Sequence, residues 1–234
     1  MYGWRLRIGL IVPSSNTTME PEFYNHLPNG VSLHTARMNI INTTAEELIK
    51  MTEEFERCAE LLKTAAVDVV VYGCTTGSFV KGKSHDQEIE ARIRKIVGVP
   101  AVATAPAVVG ALKAKHLKRL AVATPYIDEL NEMEKEYLSH HGFSVKIIQG
   151  LKIVKNLDIG KCDPTVAYQL GLEVVRKESD VDGLFISCTN FRTFEIIESL
   201  SLDIGKPVIT SNQASLWMAL KTAGISSFLW GLSG

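Results

Sequence analysis

Eight short runs of apolar, mostly β-branched residues alternate with longer amphipathic stretches along this chain. That alternation constrains it most, because it is the pattern of β-α units feeding a parallel sheet. It predicts strands at Arg7–Val12, Val31–Arg37, Val67–Tyr72, Ala101–Thr104, Arg119–Ala123, Ser144–Gln149, Gly183–Ser187 and Pro207–Thr210. Between them, Ala45–Ala66 repeats Leu48, Met51, Phe55, Ala59 and Leu62 at helical spacing, with Thr44 and Glu47 read as a capping box at its start. Further helices are expected at Asp86–Val97, Ala107–Lys115, Asp128–His140, Pro164–Lys177, Thr193–Ser199 and Ala214–Ala223.

The eight runs divide into two similar sets of four. RIGLIVPSSN, VSLHTARM, VDVVVYGCTTGSF and VPAVATAPAVVGALKA match, in order, RLAVATPYID, FSVKIIQGL, VDGLFISCTNFR and KPVITSNQASLWMALKT. Such order predicts a duplicated lobe of about 115 residues. The expected fold is therefore α/β, with two pseudo-symmetric lobes, each a four-stranded parallel sheet flanked by helices, facing each other across a cleft. We read an N-terminal lobe over 1–115 and a C-terminal lobe over 116–234, with Lys115–Lys118 as the linker and terminal helices free to swap between lobes.

Composition closes off other classes. With 46% hydrophobic and 22% charged residues and a net charge of -1, the chain is neither disordered nor a polyelectrolyte that recruits nucleic acid or anionic lipid. No apolar run reaches the ~18 residues of a membrane span, and MYGWRLR lacks a signal peptide's apolar core, so a cytoplasmic protein is expected. Cys58, Cys74, Cys162 and Cys188 are widely spread, which fits free thiols and no structural zinc. There is no G-x-G-x-x-G and no Walker loop, so no nucleotide cofactor is implied.

Parallel sheets bind ligands beyond the carboxyl ends of their strands. There, the third strand of each set stops at a cysteine followed by hydroxyl or amide residues, Gly73-Cys74-Thr75-Thr76-Gly77 and Ser187-Cys188-Thr189-Asn190. Equivalent loops would aim the two thiols at one cleft from opposite sides, as nucleophile or proton-transfer groups. Each thiol is expected just before a helix, whose N–H groups, with the hydroxyls of Thr75, Thr76 and Thr189, would stabilise a thiolate or a substrate oxyanion. Cys58 and Cys162 have no matching partner and read as structural. The first loop of the N-terminal lobe, Pro13-Ser14-Ser15-Asn16-Thr17-Thr18, offers hydroxyls, an amide and backbone N–H groups for a carboxylate or phosphate. Its counterpart, Thr124-Pro125-Tyr126, offers a phenol, and Asn156 follows the second strand of the other lobe.

At GLIVPSSNTTMEPEF, VVYGCTTGSF, VATPYIDELN and FISCTNFR, the chain resembles the aspartate/glutamate racemase superfamily, in the branch of maleate cis-trans isomerases and arylmalonate decarboxylases. The resemblance spans essentially the whole chain. It implies two lobes, no metal or organic cofactor, Cys74 as nucleophile, Cys188 as second catalytic cysteine, and Asn16, Tyr126 and Asn156 as ligands of substrate carboxylates. Racemases of the superfamily typically carry a histidine soon after the second cysteine and an N-T pair after the first, where this chain has Thr189-Asn190-Phe191 and Thr75-Thr76. Arylmalonate decarboxylases have glycine at the position of Cys74.

A two-cysteine isomerase of a small dicarboxylate is therefore the expected activity. Cys74, as thiolate, would add to maleate and Cys188 would act as acid or hydrogen-bond donor on the opposite side, while Ser14, Asn16, Thr75, Thr76, Tyr126, Asn156 and Thr189 hold the substrate through neutral donors, since no motif supplies an arginine. An arylmalonate-type decarboxylase, an amino-acid racemase, an ectoine-utilisation relative and a non-catalytic dicarboxylate-binding protein remain as alternatives. A homodimer is expected as the commonest assembly.

Overall fold

The computed structural model describes residues 2–225 and, beyond them, 228–229 and 232–233. Its strands are β1 (Leu6–Pro13), β2 (Val31–Met38), β3 (Val69–Tyr72), β4 (Ala101–Ala103), β5 (Arg119–Thr124), β6 (Ser144–Gly150), β7 (Gly183–Ile186) and β8 (Val208–Thr210), with a short antiparallel pair at β9 (Phe228–Leu229) and β10 (Leu232–Ser233). The helices are α1 (Met19–His26), α2 (Ala45–Met51), α3 (Phe55–Thr64), α4 (Thr75–Phe79), α5 (His85–Val97), α6 (Thr104–Ala114), α7 (Asp128–His140), α8 (Asn156–Gly160), α9 (Pro164–Lys177), α10 (Ile197–Ile204) and α11 (Ser211–Thr222).

Two parallel four-stranded sheets result, ordered β2-β1-β3-β4 and β6-β5-β7-β8. The orders are the same when strand numbers are offset by four. Central strands read as continuous apolar runs because helices cover both faces: VVVY of β3 and GLFI of β7 are buried at every position. Edge strands β2 and β6 keep partly exposed residues such as Ser32, His34, Lys146 and Gln149. The last helix of each half, α6 and α11, pack on one another; α11 also reaches β3 and β4, and α6 reaches β8.

In each sheet the chain steps to one side of its first strand and then to the other, leaving a topological switch point at the carboxyl ends of β1 and β3, and again of β5 and β7. The loops after those strands carry the residues singled out from the sequence, and the two switch points meet across the seam between the halves.

All eight expected strands form, with ends shifted by one or two residues. The helix expected over 45–66 is instead two. A 3-10 turn at Thr52–Glu54 separates α2 from α3, and the Thr52 hydroxyl bonds back to the Ile49 carbonyl at 2.7 Å. The break lets α2 pack on α4 while α3 packs on β2 and α5, which one straight helix could not do. The capping box is half formed: Thr44 accepts from the Glu47 N–H, but the Glu47 carboxylate turns to Asn42 and to the Ile41 N–H. The helix expected at 193–199 is a 3-10 turn at Phe194–Ile196 leading into α10. Helices α6 and α11 each start three residues earlier than expected, α11 behind a complete Thr210–Gln213 capping box. Helices α1 and α8 are not expected from the sequence, and α4 is expected only as a helix after Cys74 with no stated bounds.

Candidate active site

Cys74, Thr75, Thr76, Tyr126, Asn156, Cys188 and Thr189 line one cavity, together with Pro13, Ile40, Thr43 and Leu48. No charged side chain is among them. The space free of atoms, mouth included, is about 280 Å³, but only about 10 Å³ of it admits the centre of a water, room for about one molecule. A clasp of two backbone hydrogen bonds crosses the seam beside the cavity. The Thr43 N–H donates to the Val154 carbonyl at 2.7 Å and the Asn156 N–H to the Ile41 carbonyl at 3.1 Å.

The first thiol sits where β3 gives way to α4. Cys74 is the N-cap of that helix, in extended backbone, and its Sγ accepts the Gly77 N–H at 3.3 Å with the Thr76 hydroxyl 3.8 Å away. The sequence TTGSF is a poor helix former. It coils because Ser78 Oγ donates to the Cys74 carbonyl at 2.7 Å and because glycine is the residue that fits at 77, where a Cβ would lie 2.9 Å from the Cys74 sulfur.

The second thiol is held differently. Cys188 has φ +99°, a conformation that costs a non-glycine residue roughly 1–3 kcal/mol and persists only where its surroundings fix it. Its N–H donates to Ser211 Oγ at 3.1 Å and its Sγ accepts the Asn190 N–H at 3.4 Å. Thus one thiol precedes a helix as expected, whereas Cys188 precedes a turn at Thr189–Asn190, closed by the Phe191 N–H on the Cys188 carbonyl at 3.3 Å. The expected thiolate is corrected as well. Burial pushes Cys74 up to about 11 against the Gly77 and Thr76 hydrogen bonds, and pushes Cys188 up to about 12 against bonds from Asn190 and Tyr126. Both thiols are therefore neutral in the resting site.

Other polar groups stitch the halves together around the sulfurs. The Thr75 hydroxyl donates to Ser211 Oγ at 2.9 Å, so Ser211 at the start of α11 ties both cysteine loops. Thr189 Oγ1 donates to the Gly73 carbonyl at 3.1 Å and accepts from Asn16 Nδ2 at 3.1 Å. Asn16 lies behind that threonine rather than on the cavity wall, and its Oδ1 accepts the Thr18 and Met19 N–H groups, each at 3.0 Å. Asn156 Nδ2 donates to Ser15 Oγ at 2.8 Å. Ser14 is exposed, outside the cavity, and exchanges hydrogen bonds with the Ile40 backbone. Cys58 and Cys162 lie elsewhere, each donating to a backbone carbonyl.

Three contributors escaped the sequence reading. Ser211 falls where a strand was expected to end and is noticed only once α11 is placed. Asn190 Nδ2 donates to the Asn156 carbonyl at 2.7 Å and its Oδ1 accepts the Thr17 N–H at 2.8 Å, locking three loops together. Glu22 reaches from α1 to the Thr193 and Phe194 N–H groups, at 2.7 and 3.0 Å, and to Asn212, whose Nδ2 also donates to the Thr189 carbonyl. Burial raises Glu22 to about 7 despite those donors. A glutamate beside Phe23 in a run expected to be loop gave no signal.

Residues 8–233 match the model of the arylmalonate decarboxylase family. The chain belongs to that family. Among its relatives, a maleate isomerase of Pseudomonas putida is 32% identical over 96% of this chain and 94% of its own length, and one of Geobacillus stearothermophilus is 29% identical over 95% and 94%. An arylmalonate decarboxylase of Bordetella bronchiseptica is 26% identical over 93% and 90%. Among solved structures, the Pseudomonas putida maleate isomerase superposes with a TM-score of 0.91 at 29% identity, covering 98% of this chain and 97% of that one. A cysteine-to-serine variant of the Nocardia farcinica enzyme, described as holding a covalently bound succinylcysteine intermediate, gives 0.89 at 26% identity, with 97% and 96% covered. Within the family, this chain has the two-thiol cavity.

Proposed function

We propose that the protein is a maleate cis-trans isomerase that works through a cysteine adduct. The observation that carries this reading is the pair of buried thiols, from equivalent loops of two halves, on one small uncharged cavity walled by hydroxyl and amide groups. Cys74 is the nucleophile because its sulfur already receives helix-terminal N–H donation, which strengthens as negative charge develops. As the bond from Cys74 Sγ to the olefinic C2 forms, the π pair shifts toward C3 and its conjugated carboxylate, and Cys188 protonates C3. The proton leaving Cys74 replaces the one Cys188 gives up, so the net step adds S–H across the double bond. The C2–C3 single bond rotates and the step then runs in reverse: Cys188 takes a proton from C3 as the C–S bond breaks, its own proton returns to Cys74 Sγ, and fumarate leaves.

The transition state carries enediolate charge on a carboxylate, and neutral donors placed in a dry cavity stabilise it more than the ground state. Thr76, Tyr126 and Asn156 are so placed, while Thr75 and Thr189, whose hydroxyl protons go to Ser211 and the Gly73 carbonyl, shape the wall and hold the two cysteine loops. Asn16 and Ser14 act at one remove, Asn16 by orienting Thr189 and Ser14 by fixing Ile40 beside the mouth. The clasp between 41–43 and 154–156 has to open for entry, because the shut cavity leaves room for about one water. Four unpaired thiols suit the reducing cytoplasm, where we place the protein. Among the described residues no helix is long and apolar enough to cross a membrane.

Proton NMR in D2O, with maleate, phenylmalonate and aspartate in separate tubes, tests the reaction class. We expect fumarate from maleate, carrying up to one deuterium because Cys188 exchanges with solvent before it protonates C3. A malonate that loses CO2 and gains one deuterium, or aspartate that exchanges its α-hydrogen, with maleate untouched, would replace this reading by a decarboxylase or a racemase.

A further inference from the structure

Helix α7 presents Leu130, Asn131, Glu134, Tyr137 and Leu138 to the interior, so a carboxyl group sits on its buried face, where Asn131 is already engaged by the Thr124 hydroxyl. Glu134 is 1% exposed; one carboxyl oxygen meets Ser187 Oγ at 2.6 Å and the other, buried, has no partner. An unsatisfied buried carboxylate is costly, whereas a carboxylic acid there is tolerated. Ser187 Oγ lies 3.5 Å from the Tyr126 hydroxyl, and Tyr126 lines the cavity together with Cys188. A line of exchangeable protons thus runs from a buried acid to the cavity wall.

Each hydroxyl in that line owns one proton, so direction propagates. When Glu134 keeps its proton, it donates to Ser187, Ser187 donates to Tyr126, and the Tyr126 proton is left to face Cys188 and the cavity. When Glu134 ionises, it takes the Ser187 proton as acceptor, Ser187 can only accept from Tyr126, and the phenol turns away from the cavity. We propose that Glu134 is a positioning residue whose proton, through Ser187, makes Tyr126 a donor to the bound substrate carboxylate; this rests on the dicarboxylate reading above.

The chemistry around Glu134 leaves it free to set that direction. Burial raises it to about 8, with the Ser187 bond acting the other way. The titratable groups facing it are Tyr126 and Cys188, both themselves pushed up by burial and by the Glu134 charge. Of the elements packed on α7, α4 has no charged residue and β6 brings only Lys146, which is exposed; Asp86 of α5 bonds Tyr137. The other charged residues of α7, Asp128, Glu129, Glu132, Lys135 and Glu136, are exposed.

The sign follows. Activity that needs a neutral Glu134 falls as pH rises through about 8, although thiolate formation alone would make it rise. Three proteins separate the causes: wild type, Glu134→Gln, whose amide donates to Ser187 at every pH, and Tyr126→Phe, which has no phenol to turn. We expect kcat/KM for maleate to drop about tenfold per pH unit above the midpoint in wild type, and the drop to vanish both in Glu134→Gln, which retains most of its turnover at neutral pH, and in the residual activity of Tyr126→Phe. An undiminished drop in either variant overturns the relay. Infrared difference spectra of the free proteins, wild type minus Glu134→Gln, read the same proton without turnover. A protonated carboxyl stretch at neutral pH that disappears through about pH 8 is expected, and its absence at neutral pH overturns the proposal. If that stretch titrates as expected but wild type leaves maleate unchanged, the buried acid stands and the isomerase reading falls.

Discussion

The two halves share strand order, switch point and the placement of a cysteine after the third strand, yet they present their sulfurs in unlike settings. Cys74 sits in relaxed extended backbone at the start of α4, with N–H and hydroxyl donors at its sulfur. Cys188 sits at φ +99°, pinned through its N–H by Ser211, with a phenol at its sulfur and a buried acid behind the phenol. Duplication explains why both thiols reach one cavity; divergence of the loops explains why they can differ in task. In the proposed reaction the N-terminal loop would stabilise charge on sulfur as it forms a bond, and the C-terminal loop would hold and deliver a proton.

The sharpest way to break that comparison is to delete one sulfur at a time. Cys74→Ala should lower kcat for maleate by about four orders of magnitude or more, since in the proposed reaction Cys74 alone adds to the olefin. Cys188→Ser should cost less, roughly 10²- to 10³-fold, because a hydroxyl still donates a proton, though less well. Equal and total loss in both, followed by fumarate absorbance, would make the halves symmetric and favour two-base proton transfer.

Ser211→Ala sharpens the comparison at the seam. It removes the acceptor shared by the Cys188 N–H and the Thr75 hydroxyl, and should lower kcat roughly 10- to 100-fold. Combined with Thr75→Ala, the two losses should fall short of additive, since they share one hydrogen bond.

Stability responds to pH through the same seam. Glu22 belongs to the N-terminal half but its donors belong to the other, and burial raises it to about 7; Glu134, wholly within the second half, is raised to about 8. A carboxyl whose folded value lies above its unfolded value near 4.5 contributes stability that is fully present below 4.5 and is lost as pH climbs through the folded value. Melting temperature should therefore decline from pH 4.5 to about 8, and Glu22→Gln should flatten the slope only up to about 7. The smallest effect is expected at Cys58→Ala and Cys162→Ser, which should leave turnover within about twofold, because neither sulfur approaches the cavity.

Strands were legible because burial on both faces writes itself as unbroken apolar runs, and the repeat was legible because it recurs in four consecutive runs. The cysteine pair followed from that repeat. Short helices were legible only in part: one is expected after Cys74, but nothing in TTGSF bounds it, because its turn is held by the Cys74 sulfur and carbonyl rather than by propensity. Nor were the partners of the site. Ser211 and Glu134 reach it through tertiary contacts at sequence distances of 23 and 53 residues, which no local pattern records. The thiols' ionisation is not legible either, since the desolvation that outweighs the N–H donors at each sulfur comes from tertiary packing.

The division of labour between the sulfurs is tested most directly by locating the adduct. Cys188→Ser protein mixed with maleate, quenched, digested and read by mass spectrometry should show the peptide containing Cys74 heavier by one maleic acid, with Cys58 and Cys162 unmodified. The adduct on Cys188 in Cys74→Ala protein that still makes fumarate would contradict the account.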